Sequence, residues 1–171
     1  GRGILLQGNH ASASDLGVRL PAEAPALPQQ TRLSAPSFVP VNLVRRSTVA
    51  AFNSAWFRVH PREQKGKAEK LTAFFHQLDQ VRRINSVYGP RGFVQHQFVV
   101  PTGADDVIRR VIERYTDYRT PAYLVVLKRM GGQQGLMSFP IAGWTLTVDV
   151  AAGLDDLGDL LDWVDEQVAA A

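Results

Sequence analysis

Cysteine is absent from this 171-residue chain. Disulfides, thiolate metal sites, iron–sulfur clusters and cysteine nucleophiles are therefore excluded, while the redox compartment stays open. Long apolar runs are missing too: none approaches the roughly 20 residues that a membrane-spanning helix needs. The opening Gly1-Arg2-Gly3 carries neither an initiator methionine nor a signal-peptide pattern. His10, His60, His76 and His96 are scattered, without a spacing such as His-x-x-x-His, which argues against zinc. Gly-x-Gly-x-x-Gly is absent, and no Gly-Lys-Ser/Thr follows Gly131-Gly132-Gln133-Gln134-Gly135. A dinucleotide fingerprint and a P-loop are thereby set aside.

What is present is an ordinary globular composition, 45% hydrophobic and 20% charged, enough for one domain with a real core. The final Val168-Ala169-Ala170-Ala171 breaks off a helical pattern without a C-cap. Both ends read as cuts, so the expectation is a piece of a longer protein. The net charge of +3 hides an asymmetry. Residues 1–100 carry 13 basic and 5 acidic side chains, and residues 101–171 carry 6 and 11. The basic excess is densest over 45–91, with ten against three. Such a patch attracts nucleic acid, phosphorylated substrates or an anionic membrane surface, or merely solvates the fold and offsets acidic neighbours.

Ile4-Leu5-Leu6 before Gly8-Asn9 reads as a strand and turn. Five prolines over 21–40 mark a loop or extended crossing segment. Ser47 can cap a short helix to about Arg58, with Val49, Phe52 and Trp56 on one face. Leu71 to Leu78 reads as short strand or turn, and Val81 to Tyr88 as a helical turn closed by Gly89-Pro90. Strands follow at Phe93–Val100, Ala122–Arg129 and Trp144–Val150. A helix capped by Thr102 spans to about Tyr118, and another starts near Leu154. Strand, helix, strand, strand, helix predicts an α+β fold: a mainly antiparallel sheet with helices packed on one face.

Side chains alternate along a strand. Gln95 and Gln97 share one face of the first strand, Lys128 lies on one face of the second, and Thr145, Thr147 and Asp149 line one face of the third. If these faces coincide, two amides, an ammonium and two hydroxyls can hold a polyhydroxyl or phosphate ligand through directed hydrogen bonds. The alternative is a merely solvated face of an antiparallel sheet.

Longer strings carry a resemblance. In order they are Phe52-Asn53-x-x-Trp56-Phe57-Arg58, Phe74-Phe75-His76-Gln77-Leu78-Asp79, and Asn85-x-x-Tyr88-Gly89-Pro90-x-Gly92-Phe93-x-Gln95-x-Gln97-Phe98-Val99-Val100-Pro101. Val126-Leu127-Lys128-Arg129 and Ser138-Phe139-Pro140-Ile141-x-Gly143-Trp144-x-Leu146-x-Val148-Asp149 complete the set. Over nearly the whole chain this pattern resembles the decaprenylphosphoryl-β-D-ribose oxidase family, FAD-linked oxidases of the vanillyl-alcohol-oxidase superfamily.

The resemblance implies a substrate-binding domain spanning 1–171 and truncated at both ends, with the FAD-binding domain outside this chain. It implies oxidation of the ribose C2 hydroxyl to a 2-keto sugar, in the making of cell-wall arabinan precursors. An NADH-dependent short-chain reductase is the implied partner enzyme, and the implied substrate is a polyprenyl-phospho-sugar. Lys128 matches the family's active-site lysine. Gln97 matches a glutamine beside the flavin, so Gln97 and Lys128 are also expected near the cofactor. Gln95, Phe75, Leu78, Trp144, Thr145 and Thr147 are the remaining expected substrate contacts. Thr147 stands where mycobacterial members carry the cysteine attacked by nitroaromatic inhibitors, and a hydroxyl cannot form that adduct. Gln77 replaces the family's usual proline. Two other readings stay open: another sugar or aldonolactone FAD oxidase, or a non-catalytic ligand- or nucleic-acid-binding module. The first reading expects no nucleic-acid partner and no metal, and a location in the cytoplasm or peripheral at the plasma membrane.

Overall fold

In a computed structural model of the chain, residues 3–16, 33–36, 41–75, 81–118, 122–132, 135 and 141–171 are described. The chain divides into two units, 1–37 with 50–84, and 38–49 with 85–171.

In the first unit the elements are short. Helix α1 spans Ala13–Leu16, and strand β1 (Leu33–Ser34) pairs in parallel with β2 (Val81–Arg82). Helix α2 (Arg46–Val59) starts in the second unit and continues into the first. It matches the helix expected from Ser47 to Arg58 within a residue or two. Helix α3 (Leu71–Phe75) replaces the strand or turn expected there, and 76–80 lie outside the described residues. Ile4, Leu5 and Leu6 form no strand: they are exposed, Leu5 at 89%. Three apolar residues without a paired neighbour have no ladder to join, so the local pattern alone does not make a strand.

The second unit carries the sheet. Strands β3 (Phe93–Pro101), β4 (Ala122–Met130) and β5 (Gly143–Ala151) are antiparallel throughout, in the order β3-β5-β4. The α+β expectation therefore holds. Strands β4 and β5 pair with a register irregularity between Ala122 and Val125. Helices α4 (Asp105–Asp117) and α5 (Leu157–Ala169) bury Val107, Ile108, Val111, Leu160 and Val164 against Phe98, Val100, Leu146, Val148 and Val150 of the sheet. Full burial of one such side chain stabilises the fold by about 1.5–3 kcal/mol. This cluster is the core, and it occupies one face of the sheet only.

Both helices begin later than their sequence signals suggested. Thr102 does not cap α4; its hydroxyl donates to the Ala142 carbonyl at 3.2 Å, and Ala104 takes the cap position without a side-chain bond. Asp156, in a left-handed conformation at φ 55°, precedes α5. A separate small cluster joins Val44, Tyr88 and Ala151, with Phe93 stacked on Tyr88 at 4.6 Å between ring centroids. Gly89 allows this: at φ +74° its absent side chain leaves room for the Asn42 backbone nitrogen, which a Cβ would meet at 2.8 Å. The Leu43 amide, in turn, donates to the Val87 carbonyl at 2.8 Å.

Gly143 opens β5 against β3 so closely that a Cβ would lie 1.9 Å from the Val100 carbonyl oxygen and 3.0 Å from the Pro101 Cα. Backbone cannot give way as a flexible side chain can. We expect Gly143→Ala to lower unfolding stability by about 1–3 kcal/mol. The control, Gly158→Ala in open space on α5, should raise it by about 0.5–1 kcal/mol. Urea unfolding of the two variants checks both signs.

Candidate functional site

The strand register decides which side chains meet. Opposite β5, Gln97 pairs with Thr147, Gln95 with Asp149 and Val99 with Thr145. On the other side, Lys128 pairs with Thr145 and Val126 with Thr147. Directly paired residues in an antiparallel sheet point to the same side. Gln95, Gln97, Lys128, Thr145 and Thr147 therefore share one face, as the alternation required if the faces were to coincide. That face is opposite the helices, because Phe98, Val100, Leu146 and Val148 point to the core.

The centre of the face is buried and its flanks are exposed. Thr145 and Thr147 on β5 are buried, whereas Gln95, Gln97 and Lys128 on the outer strands are exposed. Long side chains at the flanks lean over a short-side-chain centre. Thr145 Oγ1 donates to the Phe98 carbonyl at 2.7 Å and accepts from Gln97 Nε2 at 3.3 Å. Each glutamine thus spends an amide N–H inside the sheet: Gln97 on Thr145, and Gln95 on Asp149 Oδ1 at 2.9 Å. The amide oxygen of each is left for an incoming donor, and sugar hydroxyls are such donors. Among the described residues no carboxylate pairs with Lys128. Its ammonium is the cation of this face, with three donors to offer an oxygen-rich ligand.

Asp149 belongs to the same face and was not among the expected contact residues. Its alternation with Thr145 and Thr147 was the available signal. The carboxyl is buried, and burial pushes its pKa above the ordinary carboxylate value, opposed by the hydrogen bond from Gln95. Trp144 departs from expectation in the other direction. One residue out of phase with Thr145, it lies on the helix side, packs on the core and carries the Arg129 guanidinium 5.8 Å from its ring centroid. With Ile108, Ile112 and Leu127 it lines an open cavity of about 390 Å³ there. It is therefore not brought to the polar face. The side chain of Phe75 and all of Leu78 lie outside the described residues.

Cofactor and metal capacity follow from the same inventory. Among the described residues no group of His, Asp or Glu is placed to hold a metal ion. Gln97 and Lys128 offer donors that suit the edge of a flavin ring, so the face fits one wall of a flavin site. Among the described residues no helix is long and apolar enough to cross a membrane.

Asp149 yields a pH-dependent expectation. A carboxyl whose folded pKa is raised holds its proton in the native state at pH values where the unfolded chain has released it. Its contribution to stability is full below the ordinary value near 3.8 and is lost as pH rises through the raised folded value. Asp149→Asn removes that loss. Relative to the unsubstituted protein, the variant should gain stability as pH is raised from about 3.5 to 7. Urea unfolding across that series checks this, and a stability difference that does not change with pH contradicts it.

No family model matches the chain. Two curated proteins are similar to it. One is decaprenylphosphoryl-beta-D-ribose oxidase of Mycolicibacterium smegmatis, 32% identical over 165 residues, covering 95% of this chain and 36% of that protein. The other is an uncharacterized protein in the mprA 5′ region of Streptomyces coelicolor, 32% identical over 179 residues, covering 100% of this chain and 48% of that protein. The chain thus spans between about a third and a half of the length of these relatives. Over nearly all of its own length, the chain is similar to part of that mycobacterial oxidase.

Proposed function

We propose that this chain is the substrate domain of a FAD-dependent oxidoreductase that oxidises the C2 hydroxyl of a polyprenyl-phospho-ribose, decaprenylphosphoryl-β-D-ribose above all, to the 2-keto sugar. The observation that carries the proposal is the register that sets Gln95, Gln97, Lys128, Thr145 and Thr147 on one face, away from the core. The name of the mycobacterial relative supports the substrate assignment.

The amide oxygens of Gln95 and Gln97 accept from sugar hydroxyls and orient the ring. Thr145 and Thr147 lie buried beneath these side chains, and the buried Asp149 holds the Gln95 amide in one orientation. Lys128 places its ammonium against the C2 hydroxyl oxygen and stabilises the negative charge that builds there as the hydroxyl proton passes to water, ahead of the loss of hydride from C2. When bound, the flavin supplies the hydride acceptor, and that chemistry is the cofactor's. Gln97 and Lys128 would border it, while its main binding site would belong to a flavin domain outside this chain. The 2-keto product would pass to an NADH-dependent short-chain reductase.

The test is Lys128→Ala in the full-length protein, assayed with decaprenylphosphoryl-ribose and a dye acceptor. Turnover should fall by about 100-fold or more, with bound FAD, read from its absorbance, unchanged. Full retention of turnover would overturn the role of Lys128. Oxidation of an aldonolactone in preference to the ribosyl phosphate would replace the substrate assignment.

A further inference from the structure

We propose that the cavity between the Asn42-to-Arg45 turn, the entry to β3 and the exit from β5 binds a phosphate ester. The proposal stands on residues outside the polar face and does not need the oxidase reading.

The cavity measures about 410 Å³ and lies wholly within the second unit. Asn42 and Arg45 line it from one segment of the chain and Arg91 from another. Each is held in place. Asn42 spends its amide oxygen on the Val44 N–H at 2.8 Å, so its Nδ2 remains to donate. Arg45 Nε donates to the Asn42 carbonyl at 3.3 Å, which steadies the guanidinium and leaves both Nη groups. Arg91 lies across Gly153, where a Cβ would meet its Nε at 2.6 Å and its Cζ at 2.7 Å. The side chain that Gly153 lacks is the space that the Arg91 guanidinium occupies. Backbone bonds tie the frame beneath: the Leu43 N–H donates to the Val87 carbonyl at 2.8 Å, and the Ala152 N–H to the Gly92 carbonyl at 3.0 Å.

Charge and shape select the ligand. Among the described residues no carboxylate pairs with Arg45 or Arg91, and Asp155 and Asp156, next along the chain from the lining residue Leu154, are no exception. Two guanidinium groups and an amide N–H therefore present donors and positive charge without a counterion from the fold. Guanidinium forks match pairs of phosphate oxygens. A carboxylate has two oxygens in one plane and satisfies one fork, whereas a tetrahedral phosphate meets two from different directions. A phosphate ion is only a few times the size of a water molecule, at roughly 30 Å³, and leaves most of the cavity unfilled. Val41, Pro90 and Leu154 make the remaining wall apolar, which suits the organic part of an ester. Ala151 in the lining stands two residues past Asp149 on the same face of β5, about 7 Å along the strand. Two sources supply this chemistry: the phosphate of the glycosyl substrate proposed above, or a separate, free phosphate ester.

The experiment is isothermal titration of the full-length protein with ribose 5-phosphate at low salt, with ribose as the control. Binding is expected for the phosphate ester only. Arg45→Ala and Arg91→Ala, both at exposed positions, should each weaken it by about tenfold or more. Gly153→Ala displaces the flexible end of Arg91 and should weaken binding with an unchanged circular dichroism spectrum. Lys128→Ala, remote from the cavity, should change the affinity by no more than about twofold. Absence of binding, as when another part of the longer protein fills the cavity, overturns the proposal. So does an affinity indifferent to both arginine substitutions, or one lost with Lys128→Ala alone, which would move the phosphate to the polar face. The KM for decaprenylphosphoryl-ribose separates the two sources. A KM raised by Arg45→Ala and Arg91→Ala at unchanged kcat identifies the substrate's own phosphate, and an unchanged KM identifies a free phosphate ester; both support the site. The oxidase reading fails separately, through the turnover of Lys128→Ala.

Discussion

Strand β5 is held on both edges, and that pairing is the constraint on which the rest depends. A side chain on a central strand has only two directions available, and a slip of one residue would exchange them all. Leu146, Val148 and Val150 must point to the helices, because they close the only large apolar cluster among the described residues. Thr145, Thr147 and Asp149 are then forced to the other side. The hydrophobic core thus places the polar face without any contact to it. Gly143 permits the arrangement at its start, where β3 comes too close for any side chain.

The same constraint accounts for the chemistry of the face. Three polar groups on a central strand cannot reach bulk water freely, and Thr145, Thr147 and Asp149 are buried there. Their polar atoms need partners, since an unmade hydrogen bond in such a place costs about 1–3 kcal/mol. Gln97 and Gln95 supply donors from the neighbouring strand, and Thr145 finds the Phe98 carbonyl. The side chains that satisfy the buried layer are the ones that remain exposed above it. Their orientation, and so the pattern of acceptors offered outward, is set from below.

Much of this was legible because the strands are strongly marked. Runs such as Phe98-Val99-Val100 and Leu124-Val125-Val126-Leu127 are bounded by glycine and proline, and their two-residue period assigns each polar residue a side. That is why Gln95, Gln97, Lys128, Thr145 and Thr147 could be grouped before any register was known. The misses have local causes. Thr102 carries a capping signal that the carbonyl of Ala142, 40 residues downstream, draws away. Ile4 to Leu6 has strand composition and, among the described residues, no partner strand. Phe74-Phe75 looked extended by its aromatic content, yet the residues close one turn of helix. Trp144 was expected at the sugar site through the resemblance, and its phase on β5 puts it on the helix side of the sheet. Asp149 had the right phase, but its burial depends on the neighbours across the sheet, which one strand does not reveal.

On the proposed reading, a glycosyl phosphate lies against the face of β3-β5-β4 that is turned away from the helices. A crystal structure of the full-length protein with a polyprenyl-phospho-ribose analogue tests it most directly. Sugar hydroxyls should lie within hydrogen-bond distance of the Gln95 and Gln97 amide oxygens, with the C2 oxygen beside the Lys128 ammonium. A sugar bound on the helix side of the sheet, beside Trp144 and Leu127, or away from the sheet altogether, would contradict the account.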